Sequence, residues 1–209
     1  MGQYYKPIIL NGGNVGIYAH AHDFTNGMKL MEHSYVGNAL VGAIEYMIED
    51  DPASVVWAGD YADNEENSND NLFFMADVEN KGVIEITPKY FQKEKKKGFE
   101  YIMKMFINTS YRTRYIINHT KKEYVDKTKL PIDNYGCSIH PLPLLTAEGN
   151  QRGGGDYYGN SDNIVGSWAR DYVSVSTKKP NTNYTEIIPN FMEDGMVYKK
   201  VEEMVSVTA

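Results

Sequence analysis

One short pattern occurs twice in this chain. Trp57-Ala58-Gly59-Asp60-Tyr61 and Trp168-Ala169-Arg170-Asp171-Tyr172 both read W-A-x-D-Y, and they hold the only two tryptophans. A second match precedes each. The asparagine of Ile8-Ile9-Leu10-Asn11 lies 46 residues before Trp57, and that of Tyr115-Ile116-Ile117-Asn118 lies 50 residues before Trp168. Paired landmarks at nearly equal spacing predict two related half-units around one core, about residues 1–63 and 112–176. A chain of 209 residues is short for two full domains, so one domain over 1–209 is expected.

Local patterns fill in the elements. Gln3 to Leu10 reads as a strand that ends at Asn11-Gly12-Gly13-Asn14, with a returning strand from Val15 to Ala19. Val36, Leu40, Ala43, Ile44 and Met47 fall on one face of a 3.6-residue repeat. They predict a main amphipathic helix from about Met28 or Tyr35 to Glu49, capped by Ser34. Gly37 and Gly42 inside it imply a closely packed neighbour. Val55 to Ala58 reads as a buried strand, and Asp60 to Asp70 as an acidic surface loop. Thr87-Pro88 opens a helix that Gly98 splits. Arg114 to Asn118 and Glu123 to Val125 form a second strand pair. Ile139 to Leu145 is expected to be extended because of Pro141 and Pro143. Val165 to Val175 is expected as the second tryptophan strand, and Phe191 to Val205 as a short helix. The fold class is therefore α+β, a mainly antiparallel sheet of two half-units with one main helix packed on it.

Charge and cysteine usage narrow the function. A net charge of −7 argues against broad nucleic-acid binding, which needs a basic face. The run Lys93-Glu94-Lys95-Lys96-Lys97 reads as a solvated helix face. Cys137 stands alone, so no internal disulfide is expected. No leader-like opening and no apolar run of membrane-spanning length is seen. Lys6 stands where myristoylation needs Ser or Thr. A cytoplasmic protein is expected, with the sequons at Asn108, Asn118 and Asn183 as chance.

Several groups carry chemistry. His20-Ala21-His22 has metal-ligand spacing at a strand end, and Asp60 and Asp63 could supply carboxylates, but no H-E-x-x-H or C-x-x-C motif supports it, and no metal or cofactor is expected. Arg152-Gly153-Gly154-Gly155-Asp156 suits an anion: glycines let backbone N–H groups turn inward, and Arg152 adds a two-pronged donor. Cys137 and His140 formally allow a nucleophile pair, though free cysteine is usually a small buried hydrophobe. Asp60 and Asp171 follow the two tryptophans, as converging carboxylates or as caps of local turns. The expected ligand site joins Arg152, Gly153, Gly154, Gly155 and Asp156 to Trp168, Arg170 and Tyr157. Trp57, Asp60 and His22 approach it from the other half.

Further stretches carry a resemblance. Gly2-Gln3-Tyr4-Tyr5, Gly27-Met28-Lys29-Leu30-Met31-Glu32, the first tryptophan motif through Asp63, and Asn118 to Val125 resemble a family of short uncharacterised proteins of bacteria, phages and fungi. Arg152 to Asp156 and Gly166-Ser167-Trp168-Ala169 do so too. Such proteins begin G-Q-Y and carry G-x-K-L-x-E, R-G-G-G-D and W-A-G-D motifs. They often have glycine where Arg170 stands, and one histidine, which matches His22. The resemblance spans most of the chain, with 64–111 as an insertion, and implies architecture and a phage setting, not an activity. Three functions remain open. One is a non-enzymatic binding protein for an anionic, nucleotide-derived signal, as a phage-encoded anti-defence protein. Another is a protein-interaction inhibitor of a host enzyme, using the loop Asp60–Asp70. The last is a nucleotide or phosphoester hydrolase or transferase, using His22 with Asp60 or Asp171.

Overall fold

The computed structural model describes residues 3–78, 82–95, 97–149, 157 and 164–192. Its first half is built on a tight hairpin. Strands β1 (Tyr5–Asn11) and β2 (Asn14–Tyr18) are joined by Gly12 and Gly13, with φ of +58° and +85°. Two positive φ angles make the mirror-image turn that matches strand twist, and glycine adopts it without steric cost. β3 (Ala53–Gly59) runs antiparallel to β1, with Leu10 opposite Ser54, and β4 (Ile84–Glu85) lies parallel to β2.

The second half repeats this plan. β5 (Tyr115–Asn118) and β6 (Glu123–Asp126) form a hairpin. After the two-residue β7 (Ala147–Glu148), which pairs beside β3, β8 (Tyr172–Ser176) runs antiparallel to β5, with Ile117 opposite Ser174. β9 (Thr185–Glu186) lies parallel to β6. β3 and β8 join the halves antiparallel, so the order β4-β2-β1-β3-β8-β5-β6-β9 reads as a palindrome.

The tryptophans do not share this symmetry. Trp57 stands three residues after Ser54, on β3, whereas Trp168 stands six residues before Ser174, in a turn ahead of β8. The expected strand from Val165 is thus a turn through 170, where Gly166 and Arg170 have φ of +76° and +65°. Both angles are incompatible with an extended strand.

The helices are α1 (Leu30–His33), α2 (Ala39–Met47), α3 (Leu72–Met75), α4 (Pro88–Lys95), α5 (Phe99–Arg112) and α6 (Pro141–Leu145). The single main helix of the sequence reading is corrected on two counts. Gly37, at φ +88°, interrupts it, so α2 begins at Asn38, whose side chain accepts from the Leu40 and Val41 N–H groups. Ser34 instead donates to the Leu30 carbonyl and closes α1. The second correction is α5, the longest helix, which crosses α2 so closely that a Cβ on Gly42 would lie 2.0 Å from the Phe106 carbonyl oxygen. Segment 64–111 therefore supplies an edge strand and half of the helical layer. α6 also departs from expectation. Its prolines fall in the first turn, where an N–H has no helical partner to lose, and His140 Nδ1 caps it by accepting from Leu142 N–H.

Strand alternation divides the core. Tyr5, Ile9, Val55, Trp57, Ile116, Val125, Val173 and Val175 face the helical layer with Leu40, Ile44, Ile102 and Phe106. On the opposite face, α3 covers Ile8, Leu10, Val56 and Ala58 of the first half. In the second half Tyr115, Ile117 and Tyr124 pack with Tyr184. Lys127, just after β6, crosses to the helices. It donates to Glu45 (2.6 Å), the Ser110 carbonyl and Thr113, while His140 donates to the same Glu45 oxygen at 3.0 Å. Burial favours a neutral Glu45, but Lys127 and His140 outweigh it and hold the carboxyl ionised. No helix of the described residues is long and apolar enough to cross a membrane.

Candidate functional site at the end of β3

Four separate stretches meet at the carboxyl end of β3. Tyr5 N–H donates to the Met28 carbonyl, and Tyr4 pairs with Lys29. Glu32 accepts from the Lys29 N–H, and a Cβ on Gly27 would strike its carboxylate at 2.0 Å. The G-x-K-L-x-E stretch is therefore a capped bend that docks on the start of β1. Beneath it Trp57 donates to His33 Nε2 at 3.0 Å. Indole only donates, so that nitrogen accepts and Nδ1 carries the proton toward the Gly27 carbonyl, 3.1 Å away. Burial lowers the His33 pKa to about 4.

Gln3 sits at the centre of this junction and is 2 % exposed. Its carboxamide is wedged between two glycines: a Cβ on Gly59 would lie 2.2 Å from Nε2, and one on Gly149 2.6 Å from Oε1. Oε1 accepts from the Tyr5 hydroxyl at 3.0 Å. Among the described residues, Nε2 is buried with no hydrogen-bond partner. An unmet buried donor costs about 1–3 kcal/mol, so native chains rarely keep one without a reason. The G-Q-Y and W-A-G-D motifs thus explain each other, because Gly59 makes room for Gln3.

The rim is charged. Arg170 forks onto Glu148, at 2.6 and 2.5 Å, and onto Glu65, at 2.9 Å with a second, shorter contact. Hydrogen bonds from both carboxylates raise its pKa further. Its guanidinium is committed within the chain. Its φ of +65° is a conformation that glycine takes without strain.

The remaining expected site residues disperse. Trp57 and Trp168 are fully buried, so neither ring is open to stack on a ligand; Trp168 donates to Glu123 at 2.8 Å. Asp60 accepts from Tyr4 N–H, and Asp171 from the Asn118 side chain. Both contacts are long-range in sequence and tie separate strands or turns together. His20 and His22 lie at a 3-10 turn, not on a strand. His20 meets Asp77 at 3.2 Å, and His22 is 62 % exposed beside Asp23. No hydrogen bond or ion pair links His22 to Asp60 or Asp171 among the described residues. None of these residues forms a group of three or more His, Cys, Asp or Glu able to hold a metal ion. Cys137 is exposed in a turn, and His140 is buried on Glu45, so the two do not pair. Tyr157 packs edge-on to Phe191. Arg152, Gly153, Gly154, Gly155 and Asp156 lie outside the described residues, as does most of the helix expected from Phe191. Gln3 and His33 were missed as site residues. Gln3 belongs to the G-Q-Y motif, but only the fold brings it against Gly59.

The fold and junction together define an α+β domain with a palindromic sheet. Compared with family models, curated proteins and solved structures, the chain finds no match.

Proposed function

We propose that the protein is a binding protein that captures a small anionic ligand of nucleotide type at the carboxyl end of β3. The observation that carries this reading is the buried Gln3 Nε2 without a partner. A ligand carbonyl or ring nitrogen placed there would accept its proton and remove the cost of leaving it unmet. Arg170 is already neutralised by two carboxylates, and the sequence offers Arg152 with Gly153, Gly154 and Gly155 for the ligand's anionic group. The phage setting implied by the resemblance gives such a binder an anti-defence role in the cytoplasm, sequestering a nucleotide-derived signal.

Calorimetry against linear and cyclic nucleotides tests this. Arg152→Ala is expected to weaken binding roughly 10- to 150-fold, the worth of one charge-assisted contact. Gln3→Ala is expected to weaken it about tenfold, with folding retained in both. No binding by the wild type, or unchanged affinity in both variants, rejects the reading.

A protein-interaction role has one observation in its favour. Tyr61 and Phe74, 48 % and 47 % exposed, stand beside the acidic loop Asp60–Asp70. Apolar rings among carboxylates suit a basic protein surface. Pull-down from the host that is lost in a Tyr61→Ala, Phe74→Ala variant would move the assignment there.

A further inference from the structure

The Asn118–Val125 motif takes no part in the junction described above, yet it places a histidine against a serine. His119 Nε2 lies 2.7 Å from Ser174 Oγ, and its Nδ1 lies 2.9 Å from the Tyr184 hydroxyl. Lys122, of the same turn, brings its ammonium to 3.4 Å from that hydroxyl and 5.1 Å from the Tyr184 ring centre. An ammonium only donates, so the Tyr184 oxygen accepts from it and keeps a lone pair for the Nδ1 proton. That leaves Nε2 as the acceptor for Ser174, the arrangement a general base needs.

The matching position in the first half makes the contrast. Ser54, opposite Leu10 as Ser174 is opposite Ile117, donates to the Arg170 carbonyl, which cannot take a proton. Ser174 faces a group that can. Burial and the nearby Lys122 charge both lower the His119 pKa and favour the neutral imidazole. The groups facing His119 are Ser174 on β8, Tyr184 ahead of β9 and Lys122.

We infer that Ser174 is a nucleophile with His119 as its base and Tyr184 as a positioning residue, acting on small carboxylic esters whose anionic group meets Lys122. Ser174 Oγ bonds to the ester carbonyl carbon as its proton passes to His119 Nε2. The carbon–oxygen bond to the alcohol then breaks, and the alcohol leaves with that proton. Water repeats the sequence on the serine ester, releasing the acid and restoring Ser174. Ser174 is 3 % exposed, His119 beside it is part-exposed and Lys122 is exposed.

Labelling of the full chain with a small fluorophosphonate, read by intact mass and peptide mapping, tests this. The expected result is one adduct, on Ser174, lost in Ser174→Ala and formed at least tenfold more slowly in His119→Gln. Tyr184→Phe should keep the adduct but shift the pH midpoint of its formation, which a packing role alone would not do. No adduct on the wild type, an adduct elsewhere, or an equal rate in a folded His119→Gln protein overturns the inference. Circular dichroism confirms that each variant is folded.

Discussion

The two halves of the sheet share a strand plan and differ in everything attached to it. In the first, the hairpin turns on Gly12-Gly13 and helix α3 seals the outer face. In the second, the hairpin needs four residues, His119 to Lys122, and the outer face is packed by Tyr184 from the chain's own return. The shared part is backbone pairing, which tolerates almost any alternating sequence. The different parts are loops, where chemistry is free to vary on a fixed scaffold. The first half thus gathers the Gln3 junction, and the second presents Ser174, His119 and Tyr184.

Each half also buries a lysine, and the largest expected effect separates them. Lys127 and its partner Glu45 are both buried, whereas Lys6 is buried but its partner Asp77 is 48 % exposed. Removing one member of a fully buried pair typically costs about 3–5 kcal/mol. Glu45→Ala should lose that much in urea denaturation. Asp77→Ala should lose only about 1 kcal/mol, because water can reach the vacated side. Equal losses would erase the distinction between the halves.

The tryptophans give a sharper, pH-dependent contrast, since Trp57 donates to a histidine and Trp168 to a carboxylate. His33 is lowered from 6.5 to about 4. Above pH 6.5 it is neutral in both folded and unfolded chains. As pH falls from 6.5 to about 4, only the unfolded chain takes the proton, so stability drops, by roughly 3 kcal/mol in total. Comparing urea midpoints of wild type and His33→Asn at pH 7 and pH 4.5 isolates this contribution. The same pH slope in both proteins would remove His33 from the account.

The smallest effect lies in the turns. Gly13 has φ +85° and Lys122 φ +58°. Gly13→Ala should destabilise by about 1 kcal/mol, whereas Lys122→Gly should stabilise by about 0.5 kcal/mol, because glycine relieves the left-handed conformation. Thermal midpoints moving in the same direction would contradict these assignments.

Much of the scaffold was legible because it rests on short-range pattern. The Gly12-Gly13 turn, the Thr87-Pro88 helix start, the break at Gly98 and the close approach at Gly42 all follow from local residues. The misreadings have physical causes. Pro141 and Pro143 forbid a helix interior but not a first turn, and five residues make little more than a first turn. The tryptophan repeat is a likeness of local sequence placed on different elements, a strand and a turn. The sites were the least legible part. Gln3 meets Gly59 and Gly149, and His119 meets Ser174, only after long-range strand pairing, and no spacing in the chain encodes those contacts.

The palindrome has a further consequence at its two ends. Both outermost strands, β4 and β9, are only two residues long. An unpaired sheet edge is a template on which other chains add, and brevity is one way proteins blunt it. Here a nine-stranded sheet ends on each side with almost no ladder to offer. The design favours folded copies that stay apart as their concentration rises.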